Sequence, residues 1–146
     1  MKVLVKEFKD LSPRELYEIL KLRTAVFVVE QACIYQDMDG KDQKALHVLG
    51  QAGPLLVAYA RIFGPGTYFK ESSIGRVAVS PDVRRKGYGR SIMQHSIAVV
   101  QERFRTDTIM LSAQCYLKKF YNDLGFEEKG EEYLEDGIPH IHMLRK

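Results

Sequence analysis

The stretch RRKGYG, residues 84 to 89, sets three cations against two glycines. It follows the apolar run IGRVAVS and precedes RSIMQHSIAVVQERF, in which Met93, Ile97, Val100 and Phe104 recur at helical spacing. A strand that turns through glycine into a helix leaves the first helical amides without internal partners, at the positive end of the dipole. Glycine also lets the backbone come close to a ligand. Gly87, Tyr88 and Gly89 can therefore cradle a diphosphate on backbone amides, with Arg84, Arg85, Lys86 and Arg90 supplying positive charge around it. No Ser or Thr follows a Gly-Lys pair and GxGxxG is absent, which sets aside the usual nucleotide loops. On these residues alone two readings stand: an anion cradle, or a basic helix start facing solvent.

Other residues invite chemistry singly. Tyr121 shares a helical stripe with Leu117, Phe120 and Leu124, which suits either a core tyrosine or a positioned phenol. Arg23 falls near the centre of the apolar arc formed by Leu16, Ile19, Leu20, Leu22, Val26 and Phe27. A buried cation there needs an anion. The candidates are Glu30, an Asp of YQDMDG, or a ligand in an acceptor pocket that Arg23 would line. Arg76 shares a strand face with Ile74 and Ala78, and either reaches that pocket or joins an ion-pair network. His47, alternating with apolar neighbours in LHVLG, is a satisfied core histidine or a pocket residue. His140 and His142 point to one face of IPHIHML, but no third ligand accompanies them, so no metal is expected.

These residues must be held by a simple series of elements. Val3 and Val5 alternate with charged residues in MKVLVKEF, which reads as an edge strand. SPRE at 12 to 15 reads as a capping box, with Pro13 in the first turn, and opens a helix to about Phe27. A polar segment EQACIYQDMDGKDQKA leads to a hairpin of LHVLG and LLVAYARIF. FGPGTYF reads as a loop, SIGRVAVS as a strand, GRSIMQHSIAVVQERF as a helix, and TIMLSA as a strand. YLKKFYNDL is a short helix ended by Gly125, and IPHIHML is the last strand. Interleaved strands and helices with hairpins predict a mixed α/β sheet rather than a wound parallel one.

Composition sets the outer limits. The chain has 146 residues, 45% hydrophobic and 28% charged, with a formal net charge of +3. It reads as one globular domain over residues 1–146. No apolar run is long enough to span a bilayer, no signal-peptide pattern opens the chain, and two cysteines are too few for a disulfide framework. A cytoplasmic protein is expected, with no membrane partner. Acids nearly balance bases, which argues against a nucleic-acid partner.

Taken together, R-x-x-G-x-G after a strand VAV, and then FYNDLGF at residues 120 to 126, resemble the diphosphate loop and second motif of the GNAT superfamily of N-acetyltransferases. VFVVEQ, YQDMDG, VAYARI, IGRVAVS and YLEDGIPHI resemble its ElaA-type subgroup more specifically. The resemblance covers most of the chain. It implies one GNAT-like domain with a central mixed, largely antiparallel sheet of about six or seven strands and helices on both faces. It implies acetyl-CoA as cofactor and a small-molecule or peptide amine as acceptor, in a monomer or homodimer. Val77, Ala78 and Val79 would flank the thioester, with the Val79 amide polarising its carbonyl. The loop residues Arg84 to Arg90 would hold the diphosphate. Tyr121 would protonate the departing thiolate. Gln114, where many members carry Asn, would touch the pantetheine arm. His140 is the first candidate for a general base and Glu30 the second, and Arg23, Arg76 and His47 are candidates for the acceptor side. The competing class is a non-catalytic acyl-CoA-binding sensor, which would dispense with the Tyr121 hydroxyl.

Overall fold

A computed structural model describes residues 1–146. Its centre is one seven-stranded sheet in the order β1-β2-β3-β4-β5-β7-β6. The strands are β1 (Lys2–Glu7), β2 (Leu46–Ala52), β3 (Leu55–Phe63), β4 (Ser72–Val79), β5 (Ile109–Gln114), β6 (Glu127–Glu135) and β7 (Ile138–Arg145). All neighbours pair antiparallel except β4 and β5. The helices are α1 (Pro13–Arg23), α2 (Tyr88–Phe104) and α3 (Lys118–Asn122).

Strand alternation sorts the core into two layers. Val48, Ala58, Ala60 and Ile62 face α2 and pack with Ile92, Met93, Ile97 and Val100. Leu49, Tyr59 and Ala78 face the other way, onto Ile19, Leu22 and Val26 of the first helical stretch. Helices thus cover both faces, as a two-sided apolar sheet requires. The α1 start forms as its residues dictate: Ser12 Oγ accepts from the Glu15 N–H at 3.0 Å, and the Glu15 carboxylate accepts from the Ser12 N–H at 2.8 Å.

Three features depart from expectation. The first helix loses α geometry at Thr24 and continues as a π-helical stretch, Thr24–Glu30. Strand β6, EEKGEEYLE, was not anticipated. It lies at the sheet edge and is exposed along nearly its whole length, so neither face needs the apolar alternation by which strands are recognised. In β4, Arg76 and Val77 lie between the pairs Arg61↔Gly75 and Tyr59↔Ala78, opposite Ala60 alone. This bulge puts Arg76 in the left-handed region at φ 49° and re-aims its side chain.

Candidate active site

The site begins where the sheet comes apart. β4 and β5 pair only at Ser72↔Ile109 and Ser73↔Met110, and then diverge. The gap opens into a cavity of about 1020 Å³. Gly75, Arg76, Val77 and Val79 line it from β4, and Leu111, Ser112 and Gln114 from β5. Ser80 N–H donates to Val57 O at 2.8 Å, and Val79 stands opposite Ala58 in the next pair. Antiparallel pairs alternate, so the Val79 N–H and C=O point away from β3 into the gap. The carbonyl accepts from Arg84 Nη2 at 3.1 Å and Nε at 3.3 Å. The amide faces the cavity.

At one end of the gap lies the α2 N-terminus. Gly87, at φ 78°, is its N-cap and supplies no side-chain acceptor. The N–H groups of Tyr88, Gly89 and Arg90 therefore lack intrahelical partners. Arg85, at φ 67°, turns the loop beside them. Gly87, Tyr88, Gly89, Arg85 and Arg90 all line the cavity, and neither Arg85 nor Arg90 forms an ion pair. A Cβ on Gly89 would lie 3.6 Å from Val79 Cγ2 and 3.7 Å from Phe120 Cζ, so a side chain there would fill the cradle. Open amides, free guanidinium groups and a bare backbone fit a diphosphate.

Tyr121 lies in the wall between this cradle and the gap. It is buried within the α2-side core, yet it lines the cavity. Burial pushes its phenol up, so it stays protonated. Gln114 also lines the cavity, but its side-chain amide exchanges hydrogen bonds with Gln31 at 3.0 and 3.2 Å. His140 borders the far end. Its Nδ1 lies 2.7 Å from Ile138 O, so Nδ1 carries the hydrogen, and Nε2 lies 3.2 Å from Glu135 Oε2.

Several expected placements are corrected. Arg23 and His47 do not reach the cavity; both are fully buried beneath it. Arg23 donates from Nε to Asp37 Oδ2 at 2.8 Å, from Nη1 to Asp42 Oδ1 at 2.7 Å, and from Nη2 to Asp37 O at 3.1 Å. Arg61, in the apolar run of β3, donates to Asp39 and Asp42 at 2.9 Å. Arg76 Nε lies 2.8 Å from Asp37 Oδ1. Three arginines and three aspartates thus neutralise one another on the α1 face. Burial alone would raise the Asp39 carboxyl, but Arg61 outweighs it and holds it down at about 2. His47 bridges the Tyr59 hydroxyl at 2.7 Å and Asp42 O at 2.9 Å, and burial holds it neutral. Of the three residues expected on the acceptor side, only Arg76 lines the cavity.

Glu30 lines the cavity but is held in a two-point ion pair with Arg84, so it does not offer a free carboxylate. Arg84 is correspondingly less free than Arg85 for a phosphate. The Ala78 side chain packs against α1, away from the gap, and Lys86 lies outside the cavity wall. The acceptor wall also contains Tyr35, Lys41, Tyr68 and Glu135, none of them singled out from sequence. Tyr35 and Lys41 flank the aspartates of YQDMDGK and Glu135 lies in YLEDG, beside residues that were, while Tyr68 sits in the loop FGPGTYF and gives no such signal.

A sheet split between two parallel strands, with open amides at a helix start at the end of the split and a phenol beside it, fits an acyl-CoA-dependent acyltransferase. Comparison with known proteins gives the same class. The model of the acetyltransferase (GNAT) domain matches residues 8–146. The protein ElaA of Escherichia coli is 42% identical over 139 residues, covering 94% of this chain and 91% of ElaA. The crystal structure of E. coli ElaA superposes with a TM-score of 0.92 at 39% identity, over 99% of each chain. That of an acyl-CoA N-acyltransferase from Pseudomonas aeruginosa superposes with a TM-score of 0.94 at 38% identity, over 100% of each. The chain belongs to the GNAT acetyltransferase family, and membership implies acyl-CoA-dependent N-acyltransferase activity.

Proposed function

We propose that residues 1–146 form one catalytic domain that transfers an acetyl group from acetyl-CoA to the amine of a small or peptide acceptor. We further propose that it works in the cytoplasm, as a monomer or homodimer. The observation that carries this reading is the Val79 amide facing the gap, in the same cavity as the unpartnered amides at the α2 start. No helix is long and apolar enough to cross a membrane.

The cofactor, when bound, supplies a thioester and a thiolate leaving group. Val79 N–H donates to the thioester oxygen as charge develops on it. Gly87, Tyr88 and Gly89 hold the diphosphate, with Arg85 and Arg90 beside it. His140 takes the proton of the incoming ammonium on Nε2, and Glu135 opens the route from there to solvent. Tyr121 would give its hydroxyl proton to the departing sulfur as the N–C bond forms and the C–S bond breaks, and the proton then shed by the acylated nitrogen would restore the phenol. Gln114 would reach the cofactor arm by giving up its hydrogen bonds to Gln31.

The test is a binding measurement followed by a turnover measurement. Saturating CoA at a hundredfold excess over Kd stabilises the native state by about 2.7 kcal/mol. For a chain of this size that raises Tm by about 5–10 °C. A screen of amines with acetyl-CoA then follows free thiol. No Tm shift with CoA removes the assignment. A shift without turnover on any amine favours the sensor reading.

A further inference from the structure

The walls of the acceptor end of the cavity carry opposite charge. One part of that end is lined by Arg76 and Lys41, each beside a tyrosine ring, Tyr35 and Tyr68 respectively. The Arg76 guanidinium lies 5.9 Å from the Tyr35 ring and keeps about a fifth of its side chain exposed. Its Nε and Nη2 face Asp37 and Asp39, while Nη1 has no protein partner. The buried aspartates are fully matched by Arg23, Arg61 and Arg76, so they leave no charge for Lys41. The Lys41 ammonium has no carboxylate partner and stands over the Tyr68 ring at 5.2 Å. This wall therefore carries one surplus positive charge.

The opposite wall, from the β6–β7 hairpin, is acidic. Glu135 faces His140, and the Asp136 side chain is exposed and unpaired, while its backbone carbonyl accepts from Cys33 Sγ at 3.3 Å. Resting on the acyltransfer reading above, we propose that the acceptor is a small zwitterionic amine, a free amino acid. Its carboxylate docks on Lys41 and the free edge of Arg76. Its ammonium points to Glu135 and His140, where it loses its proton. A polycation meets Lys41 and Arg76 with the wrong sign. The N-terminus of a long peptide brings no carboxylate to that wall.

The experiment uses the full chain and begins with CoA binding by calorimetry. Acetylation of the free amino acids is then compared with that of their α-amides and of putrescine and spermidine, by thiol release. The best amino acid exceeds its own amide by about 10- to 100-fold in kcat/KM, carried by KM, as expected for a charge-assisted contact. Lys41→Glu and Lys41→Ala shrink that ratio by about tenfold. Better turnover of amides or polyamines, an acid-to-amide ratio unmoved in both Lys41 variants, or no acetylated amino acid despite CoA binding would overturn the proposal. Failure of CoA binding itself would remove the acyltransfer reading, and this one with it.

Discussion

Arg23→Met tests whether the buried arginine is structural. Methionine retains most of the aliphatic length and removes three hydrogen bonds: 2.8 Å to Asp37, 2.7 Å to Asp42 and 3.1 Å to the Asp37 carbonyl. The cluster passes from neutral to one net negative charge, in a place where Arg23 is 0% exposed. Removing one partner of a buried ion pair costs about 3–5 kcal/mol. Here the aspartates keep other partners: Asp37 retains Arg76 at 2.8 Å and the Tyr35 hydroxyl at 3.0 Å, and Asp42 retains Arg61 at 2.9 Å. The loss should therefore fall near the lower bound, ~3 kcal/mol, or a Tm drop of about 10 °C. Urea and thermal unfolding measure it. Adding Asp37→Asn restores neutrality and recovers about 1–2 kcal/mol. A loss below about 1 kcal/mol, or a raised acceptor KM at unchanged stability, would show that the cation serves a ligand rather than the fold.

Tyr121→Phe keeps the ring packing and lowers kcat by roughly 10²–10⁴-fold with CoA affinity preserved; unchanged turnover when chemistry limits the rate would leave water as the acid. Gly89→Val places a branched side chain in the cradle and weakens CoA binding by roughly tenfold or more, read by calorimetry on a chain that still melts cooperatively; parental affinity would refute the cradle. Acid unfolding follows from two groups whose native values lie below their ordinary ones. Asp39 goes from 3.8 to about 2, so its contribution of ~2 kcal/mol is complete above pH 4 and is lost as pH falls toward 2. His47, held neutral below its ordinary 6.5, adds a loss that begins as pH falls below that value. A stability curve flat from pH 7 to 3 would refute both assignments.

Much of this architecture was legible in local pattern. The capping box, the α2 stripe and the glycine junction are short-range signals, and each forms where the residues ask for it. The split of the sheet between β4 and β5 is announced by no periodicity. What escaped was decided over long range. β6 has no apolar face because it has no second layer to cover. Arg61 hides in the apolar strand LLVAYARIF, where its need for an anion is the same signal that Arg23 gives in α1. The partners of both lie in YQDMDGKD, many residues away in sequence, where only the fold can match cation to carboxylate. Glu135 and Lys41 are ordinary surface charges by composition and become wall residues only when the hairpin and the loop meet across the cavity.

The divergence of β4 from β5 gives this sheet four rims instead of two. β1 and β6 are the outer ones, and β6 carries a row of charges that discourages another chain from adding a strand there. The inner rims are backbone edges in the middle of a sheet, where donors and acceptors normally find each other. They are guarded differently. The Arg84 guanidinium caps the Val79 carbonyl, and the Gln31–Gln114 amide pair crosses at the end of β5. A strand from another molecule would have to displace both and thread a lined cavity to add itself. The protein therefore keeps a permanently open edge, the feature that elsewhere invites aggregation, by placing it inside its own body.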